Sequence, residues 1–395
     1  MKPPRHTSTA APLALAYALL IAYASLYPFS GWRVTADPWY LFLTQWPRYW
    51  LRFDVISNWL GYIPLGFLCA AAVLSHRRTQ HRSLGWLLVV LLICATLSWG
   101  IEISQNYLPW RVPSLADWLL NSAGAATGIL GASLAQKWGW LHIWRTWRER
   151  SMEPHTRAIF VHLFLWPFAL LFPTSQPFAL GQFYERLEAA LASWLQGTPF
   201  LRFIPFRAFE FEPMLPVMQS TSVALGLLIP LWSLDLLLRG AWTRLGAHVL
   251  MLACGVLVLG LSYALSYDPW NAWIWLDQPV LLGIAAGAII SSMTLAAPRV
   301  WLALGILLAV ALQTLLLNQA GSSSYADIDM QYWEQGSFVR FYGLGQWLGW
   351  LWPYGLAVFV LMFLWTVGAQ KWQQWQAWRR LYQQQATLPT QPPSE

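Results

Sequence analysis

The sequence predicts an all-α, polytopic transmembrane helix bundle, on two observations. Of the 395 residues, 57% are hydrophobic and only 10% are charged. Soluble globular proteins carry about 25% charged residues, so this chain has too little charge to cover a surface that faces water. The apolar residues also form runs of roughly 20, the length that an α-helix needs to cross a bilayer. A soluble enzyme and a nucleic-acid-binding protein are therefore excluded.

Ten apolar segments have the length of spanning helices. They lie near residues 12–28, 54–74, 84–104, 116–136, 158–178, 216–238, 244–266, 278–297, 300–318 and 346–368. The first segment also resembles a signal peptide, because Lys2 and Arg5 precede it and Ala22-Tyr23-Ala24 resembles a cleavage site. We interpret it as a retained helix, because its apolar stretch continues past that site to Phe29.

The charged residues predict the orientation of the chain. The hydrophilic connections alternate in charge, and one set of them holds 16 of the 24 basic residues but only 4 of the 17 acidic ones. Basic loops remain in the cytoplasm, so both termini are predicted to be cytoplasmic, in a bacterial inner membrane. The net charge of +7 is thus a topology signal, and no nucleic-acid partner is predicted.

Several segments between the predicted spans have sequence patterns that predict their structure. Residues 137–148 and 371–382 combine tryptophan with basic residues, which is typical of helices that lie on a membrane surface with lipid as their partner. Residues 183–195 predict an amphipathic helix on the outer side. Residues 319–344 predict a solvated acidic loop, favoured over a cation site because Asp-x-Asp lacks the rest of a calcium loop. The three cysteines lie in apolar runs without metal-ligand spacing, and no metal or cofactor is predicted.

Two halves of the sequence resemble each other. Tyr62-Ile63-Pro64-Leu65 corresponds to Leu228-Ile229-Pro230-Leu231, and Pro109-Trp110 corresponds to Pro269-Trp270, in the same order. This similarity predicts a duplicated four-helix unit followed by two further helices. The predicted domains are a first unit, an interfacial linker, a degenerate second unit, and two C-terminal spans with an amphipathic tail, at residues 1–136, 137–157, 158–297 and 298–395.

The second copy lacks the polar residues of the first. Glu102 corresponds to Ser262, and Asn121 corresponds to Leu281. Ionisable groups are costly in a membrane, and the second copy shows that similar helices exist without them. The first unit is therefore predicted to be the functional one.

The first unit gathers polar residues at the predicted outer ends of its helices. These three carboxylates, three amides and one guanidinium are Asp54, Asn58, Glu102, Gln105, Arg111, Asp117 and Asn121. Aspartate at a helix start is also a common N-cap, which by itself would explain Asp54 and Asp117. Glu102 follows an apolar helix and is expected to need Arg111 or a polar helix neighbour. Close helix packing is predicted at Pro64, Gly66, Gly124 and Gly128.

In combination these residues resemble the VanZ-like family, over about residues 12–136. The resemblance rests on four motifs, which are Asp54-x-x-x-Asn58, Pro64-Leu65-Gly66-Phe67, Glu102-x-x-Gln105, and the run Arg111…Asp117-x-x-x-Asn121-x-x-Gly124-x-x-x-Gly128. It implies a multi-pass membrane protein of the cell envelope. The namesake of the family is associated with resistance to the glycopeptide antibiotic teicoplanin, so the resemblance also implies a candidate role in antibiotic resistance.

Three functions are compatible with the polar cluster. The preferred one is binding or protection of a lipid-linked saccharide or glycopeptide-type ligand, since guanidinium and amide groups suit phosphate, sugar and carboxylate groups. The second is a membrane-embedded enzyme that acts on a lipid-linked envelope precursor through its carboxylates. The third is a structural network that joins helices in a scaffold protein. A transporter is disfavoured, because the second copy lacks polar groups at the midplane.

Overall fold

The computed structural model describes residues 9–27, 29, 31–34, 40, 46, 52–75, 83–109, 111–154, 156–172, 174, 176–203, 214–266, 270, 272–319 and 339–386. These residues form helices and no β-strand. The helices are α1 Ala10–Leu26, α2 Arg52–Leu74, α3 Ser83–Gln105, α4 Leu115–Lys137, α5 Trp140–Ser151, α6 Arg157–Phe164, α7 Trp166–Leu170, α8 Tyr184–Trp194, a 3₁₀ turn Pro199–Phe203, α9 Pro216–Leu237, α10 Ala241–Ser266, α11 Gln278–Met293, α12 Arg299–Gln319 and α13 Val339–Ala386. The predicted all-α architecture is confirmed.

Six of the described helices are long and apolar enough to cross a membrane. They are the stretches Asp54–Leu74, Leu84–Gln105, Pro216–Leu237, Ala241–Ala264, Arg299–Asn318 and Gly345–Arg379. The helices α1 and α11, and α6 together with α7, are apolar but shorter. The helix α4 has 23 residues but a more polar composition, with Asp117 and Asn121 among them. The chain is therefore a multi-pass membrane protein.

The N-terminal bundle, α1 to α4, is built around a parallel pair of helices. Gly124 of α4 lies against the carbonyl oxygen of Trp59 in α2, and Gly128 lies against that of Ile63, one turn further along both helices. Gly66 of α2 lies in the same way against the backbone of α4. A Cβ at any of these three glycines would overlap a backbone atom. The helix α1 packs on α2 and α3, and α3 packs on α4.

The C-terminal bundle contains a second parallel pair, α9 and α11. Gly283 of α11 lies against Ser220 of α9, and Gly287 lies one turn further along, against Ala224. The helix α12 covers another face of α9, and α13 packs on α12 and α7. This repeated geometry supports the predicted duplication, which itself remains a prediction.

The predicted fifth span, 158–178, is not a continuous helix, and that prediction is wrong. The helix α6 ends at Phe164, α7 ends at Leu170, and the described residues from there to α8 are not helical. Proline lacks the N–H that a helix interior needs, and Pro167 is the second residue of α7. Phe178 and Gly181 further have φ angles of 64° and 104°, which no right-handed helix contains.

The two tryptophan-rich segments differ from each other. The helix α5 is a separate amphipathic helix, set off from α4 by a turn at Gly139 with a φ angle of 80°. Residues 371–382 are the continuation of α13, so the prediction of a separate surface helix there is wrong. With 48 residues, α13 is about 72 Å long, whereas the hydrocarbon core of a bilayer is about 30 Å thick. Its last turns therefore extend beyond the hydrocarbon.

The two connections predicted on the outer side have different outcomes. The predicted amphipathic helix at 183–195 is confirmed as α8, Tyr184–Trp194. The predicted acidic loop at 319–344 lies for the most part outside the described residues, which resume with α13.

An ion-paired junction joins the linker to the C-terminal bundle. Arg239 donates two hydrogen bonds to the Glu153 carboxylate, at 2.7 Å from Nε and 3.1 Å from Nη2. Arg299 Nη2 lies 2.7 Å from the same carboxylate. The backbone N–H of Glu153 also donates to Leu237 O at 2.8 Å. The linker residue Glu153, just before α6, is thereby fixed to the end of α9.

Replacing Glu153 with glutamine is expected to lower the free energy of unfolding by about 1 kcal/mol, as for a partly exposed ion pair. The hydrogen bond from Arg239 holds the pKa of Glu153 below its ordinary value of 4.5, and the charge of Arg299 adds to this effect. A depressed pKa in the folded state stabilises the protein fully above the unfolded pKa, and this contribution is lost as the pH falls through the folded-state pKa. Thermal unfolding in detergent from pH 7 to pH 3.5 should therefore show a steeper acid loss for the wild type than for E153Q, and equal slopes would contradict this account.

Candidate functional site

The loop between α3 and α4 is folded around Glu102. This side chain is 2% exposed, and its Oε2 accepts a hydrogen bond from the backbone N–H of Ser114 at 2.9 Å. Ser114 is the N-cap of α4, and its Oγ accepts from the N–H of Ala116 at 3.2 Å. Glu102 thus lies at a helix N-terminus, where unpaired N–H groups and the helix dipole favour negative charge. The partner of Glu102 is this backbone group, where the sequence had suggested Arg111 or a polar helix neighbour.

Gln105 and Arg111 bind the end of α1. Gln105 Nε2 donates to Ser25 O at 3.0 Å. Arg111 Nη2 lies 3.2 Å from Ala24 O and 3.3 Å from Tyr27 O, and donates to both. The last carbonyl groups of a helix have no helical partner, and a guanidinium group there also complements the helix dipole. These two side chains therefore hold α1 against α3 and the outer loop.

A second layer of polar groups lies one turn deeper, between α2, α3 and α4. Asn121 Nδ2 donates to Ser98 Oγ at 2.9 Å, and both residues are buried. Tyr62 is 4% exposed and lies beside Ser98 and Glu102. The other amide atom of Asn121, Oδ1, has no hydrogen-bond partner among the described residues. We call Tyr62, Ser98, Glu102 and Asn121 the inner polar centre.

The remaining predicted residues lie at the ends of α2 and α4. Asp54 and Asn58 are half-buried in the first two turns of α2. Asp117 is half-buried in the first turn of α4, and it lies close enough to Glu102 for the two carboxyl groups to repel each other. The N-cap of α4 is Ser114 and not Asp117. The structure therefore brings Glu102, Asp117 and Asn121 together, and places Asp54 and Asn58 on the neighbouring helix.

Three residues of the site, Tyr62, Ser98 and Ser114, were not predicted from the sequence. Tyr62 follows Asn58 by four residues, and Ser98 precedes Glu102 by four. Helical residues four apart lie on the same face, so this spacing was a usable signal. Ser114 precedes Asp117 by three residues, which is the spacing of a helix-capping pattern.

A buried ionisable cluster in the C-terminal bundle was also not predicted. Asp235 near the end of α9 is fully buried, and its Oδ1 lies 3.1 Å from His248 Nε2 and 4.0 Å from Arg244 Nε. Arg244 also donates to Leu238 O at 3.1 Å. The second bundle thus holds buried ionisable groups of its own. Within the described part of the chain, no three His, Cys, Asp or Glu side chains are grouped to hold a metal ion.

The sequence model of the VanZ/LLP1 family matches residues 7–136. The N-terminal third of this chain is similar to the VanZ/LLP1 family, and we call it the VanZ-like unit. The match covers α1 to α4 and contains the whole inner polar centre, which confirms the resemblance seen in the sequence motifs. Searches of curated proteins and of solved structures gave no match. The VanZ-like unit is thus followed by a C-terminal bundle that the family match does not cover.

Proposed function

We propose that the VanZ-like unit binds a lipid-linked or glycopeptide-type ligand of the cell envelope at the outer ends of α2, α3 and α4. The observation that carries this proposal is the inner polar centre. Asn121 Oδ1 makes no hydrogen bond, and Tyr62 lies beside Ser98 and the buried Glu102 carboxyl group. Buried polar groups are nearly always hydrogen-bonded, so an unpaired amide oxygen in this cluster suits a site that a ligand completes.

The chemistry of these groups fits the polar part of a wall or polysaccharide precursor. Asn121 Oδ1 accepts a hydrogen bond and Tyr62 Oη donates one, which matches the hydroxyl and amide groups of sugars and peptides. Apolar side chains such as Trp59, Leu60 and Leu119 are exposed on the same helices and suit contact with a lipid tail. The proposal includes an inner-membrane location with both termini in the cytoplasm, as the charge pattern predicts.

A structural role for the same residues is the second candidate. The bonds from Gln105 and Arg111 to the end of α1 favour it, because they satisfy carbonyl groups within the protein. In that case water molecules bond the side chains of Tyr62 and Asn121, and no ligand is retained.

Replacing Glu102 with glutamine is expected to keep the fold and to lower ligand retention at least tenfold. Glutamine has the same length, and its Oε1 still accepts from Ser114 N, but it removes the charge and adds two donors to the inner polar centre. Retention is measured by native mass spectrometry with a polyprenyl-diphosphate saccharide and with teicoplanin as probes. Gln105→Leu is the matched control on the same helix, and we expect it to reduce thermal stability while leaving retention unchanged.

Three outcomes separate the candidate functions. Loss of retention in E102Q with an unchanged unfolding temperature supports binding. A wild-type protein that retains neither probe, combined with a collapse of E102Q on heating, contradicts binding and supports the structural role. Unchanged retention with lost conversion of the precursor contradicts a simple binding role and supports an enzyme.

A further inference from the structure

A buried non-helical segment lies inside the C-terminal bundle. Residues 176–181, between α7 and α8, are all buried. The Phe178 backbone contacts Gly226 near the middle of α9, and its ring contacts Gly255 near the middle of α10. The segment therefore lies well inside the membrane-spanning part of the bundle. Non-helical backbone at that depth is tolerated only where protein groups satisfy it or where it lines a hydrated cavity.

Neighbouring helices satisfy part of this backbone. The N–H of Gly181 donates to Gly349 O at 2.9 Å. That carbonyl group has no helical donor, because Pro353, four residues further along α13, lacks an N–H. Tyr354 Oη donates to Gly181 O at 2.9 Å, and Gln313 Nε2 donates to Leu180 O at 3.2 Å. The end of the segment is thus bonded to α12 and α13.

Four buried polar atoms around the same segment have no hydrogen-bond partner. They are Trp166 Nε1, Gln176 Oε1, Ser222 Oγ and Gln313 Oε1. The bond from Gln313 Nε2 to Leu180 O fixes the orientation of this amide, so its free atom is the oxygen. Ser222 precedes Gly226 by four residues and lies on the same face of α9, which contacts the segment.

The backbone of the segment is strained at Phe178. Its φ angle of 64° lies in the left-handed region, which residues other than glycine rarely adopt. Ring contacts hold it there, with centroids 6.3 Å from Trp166 and 5.9 Å from Trp275. Strained residues persist where the surrounding structure enforces them, and they are concentrated at functional sites.

The composition of the surrounding helices disfavours a charged ligand. Residues 158–183, 216–234, 300–319 and 341–370 contain no Asp, Glu, Lys or Arg. An ion at this depth would need a countercharge to offset its desolvation. A hydroxyl group donates to an amide oxygen and accepts from an indole N–H, and it therefore matches the unpaired atoms.

We propose that this segment, with Ser222 and Gln313, forms a binding site for an uncharged hydroxyl group, supplied either by water or by a saccharide. The site lies nearer to the predicted outer face than to the cytoplasmic one. Ser222 lies six residues from the start of α9, and Gln313 lies six residues from the end of α12, which places both about 9 Å from those helix ends. The two helices approach the site from the same side of the membrane.

Cysteine accessibility at Ser222 tests the proposal. In a background without the three native cysteines, Ser222→Cys is expected to react with a small water-soluble methanethiosulfonate at least tenfold faster than Ser233→Cys. Ser233 is the matched control, because it is also fully buried on α9 and near the other end of that helix. Its hydroxyl already donates to Ile229 O at 2.7 Å. Equal rates at the two positions would overturn the proposal.

The same labelling experiment separates the two sources of the hydroxyl group. Slower labelling of Ser222→Cys in the presence of millimolar N-acetylglucosamine supports a saccharide. Fast labelling that the sugar does not change supports water. Labelling as slow as that of Ser233→Cys, with or without the sugar, contradicts both.

Hydrogen–deuterium exchange of the wild-type protein gives a second test that needs no variant. The amides of Phe178 and Leu180 have no hydrogen-bond partner among the described residues. In a hydrated site they are expected to exchange at least 100-fold faster than the amides of Leu227 and Leu228 in the middle of α9. Equal protection of the two peptides would show a dry segment and overturn the proposal.

Discussion

Replacing Gly128 with alanine is expected to destabilise the N-terminal bundle by about 3 kcal/mol, the upper end of the range for overpacked interiors. The added Cβ would overlap Ile63 O and lie 2.7 Å from Phe67 N. Both are backbone atoms of α2, so no side-chain rotation relieves the overlap, and α2 and α4 must move apart. The expected result is a large drop in the unfolding temperature of the purified protein in detergent.

Gly131→Ala is the matched control on the same helix. A Cβ at Gly131 would lie 3.7 Å from Phe67 Cδ2 and meet no other atom within 4 Å, which is an ordinary contact. Alanine is also a better helix former than glycine, by about 1 kcal/mol. The same substitution, one turn further along α4, is thus expected to be neutral or stabilising. Equal unfolding temperatures for G128A and G131A would contradict the close α2–α4 contact.

The sequence predicts the individual spans better than their arrangement. Apolar runs predict helices because length and hydrophobicity are properties of the chain alone. The spacing of Gly124 and Gly128 predicts a closely packed neighbour. It does not predict that this neighbour is α2 or that Trp59 O and Ile63 O face the two glycines, because that register depends on the whole bundle.

The broken fifth span shows a limit of hydropathy. Residues 158–178 are apolar whether they form one helix or a helix followed by buried irregular backbone. The partners of the backbone hydrogen bonds determine which of these two structures forms. For the N–H of Gly181 the partner is Gly349 O, far along the chain. Pro167 and Pro177 in this stretch were the local signs that a single helix is unfavourable there.

The candidate site could be predicted in part. Asn121 lies four residues after Asp117, so their shared helix face follows from spacing alone. The bonds from Glu102 to Ser114 N and from Arg111 to the α1 carbonyl groups involve backbone atoms. Backbone partners leave no residue type in the sequence by which to recognise them, so the capping role of Arg111 emerges only from the structure.

The largest loss of stability in the C-terminal bundle is expected on replacing Asp235 with alanine. Asp235 is fully buried, 3.1 Å from His248 Nε2 and 4.0 Å from Arg244 Nε. Its removal leaves the buried Arg244 guanidinium without this carboxylate. Breaking a buried ion pair from one side costs about 3–5 kcal/mol, which should appear as a large drop in the unfolding temperature. Ser233→Ala, equally buried on the same helix but bonded only to its own turn, is expected to cost about 1 kcal/mol or less.

A triple variant shows whether the loss in D235A comes from the uncompensated charge of Arg244. Replacing Asp235 and His248 with leucine and Arg244 with methionine exchanges the whole buried ion pair and its imidazole partner for apolar groups, which is often neutral or stabilising. No buried guanidinium is then left without its carboxylate, although Leu238 O and Leu295 O lose the hydrogen bonds that Arg244 donates. This variant is therefore expected to regain much of the stability lost in D235A. If it remains as unstable as D235A, then the loss does not come from the uncompensated charge of Arg244, and the two carbonyl groups require the guanidinium.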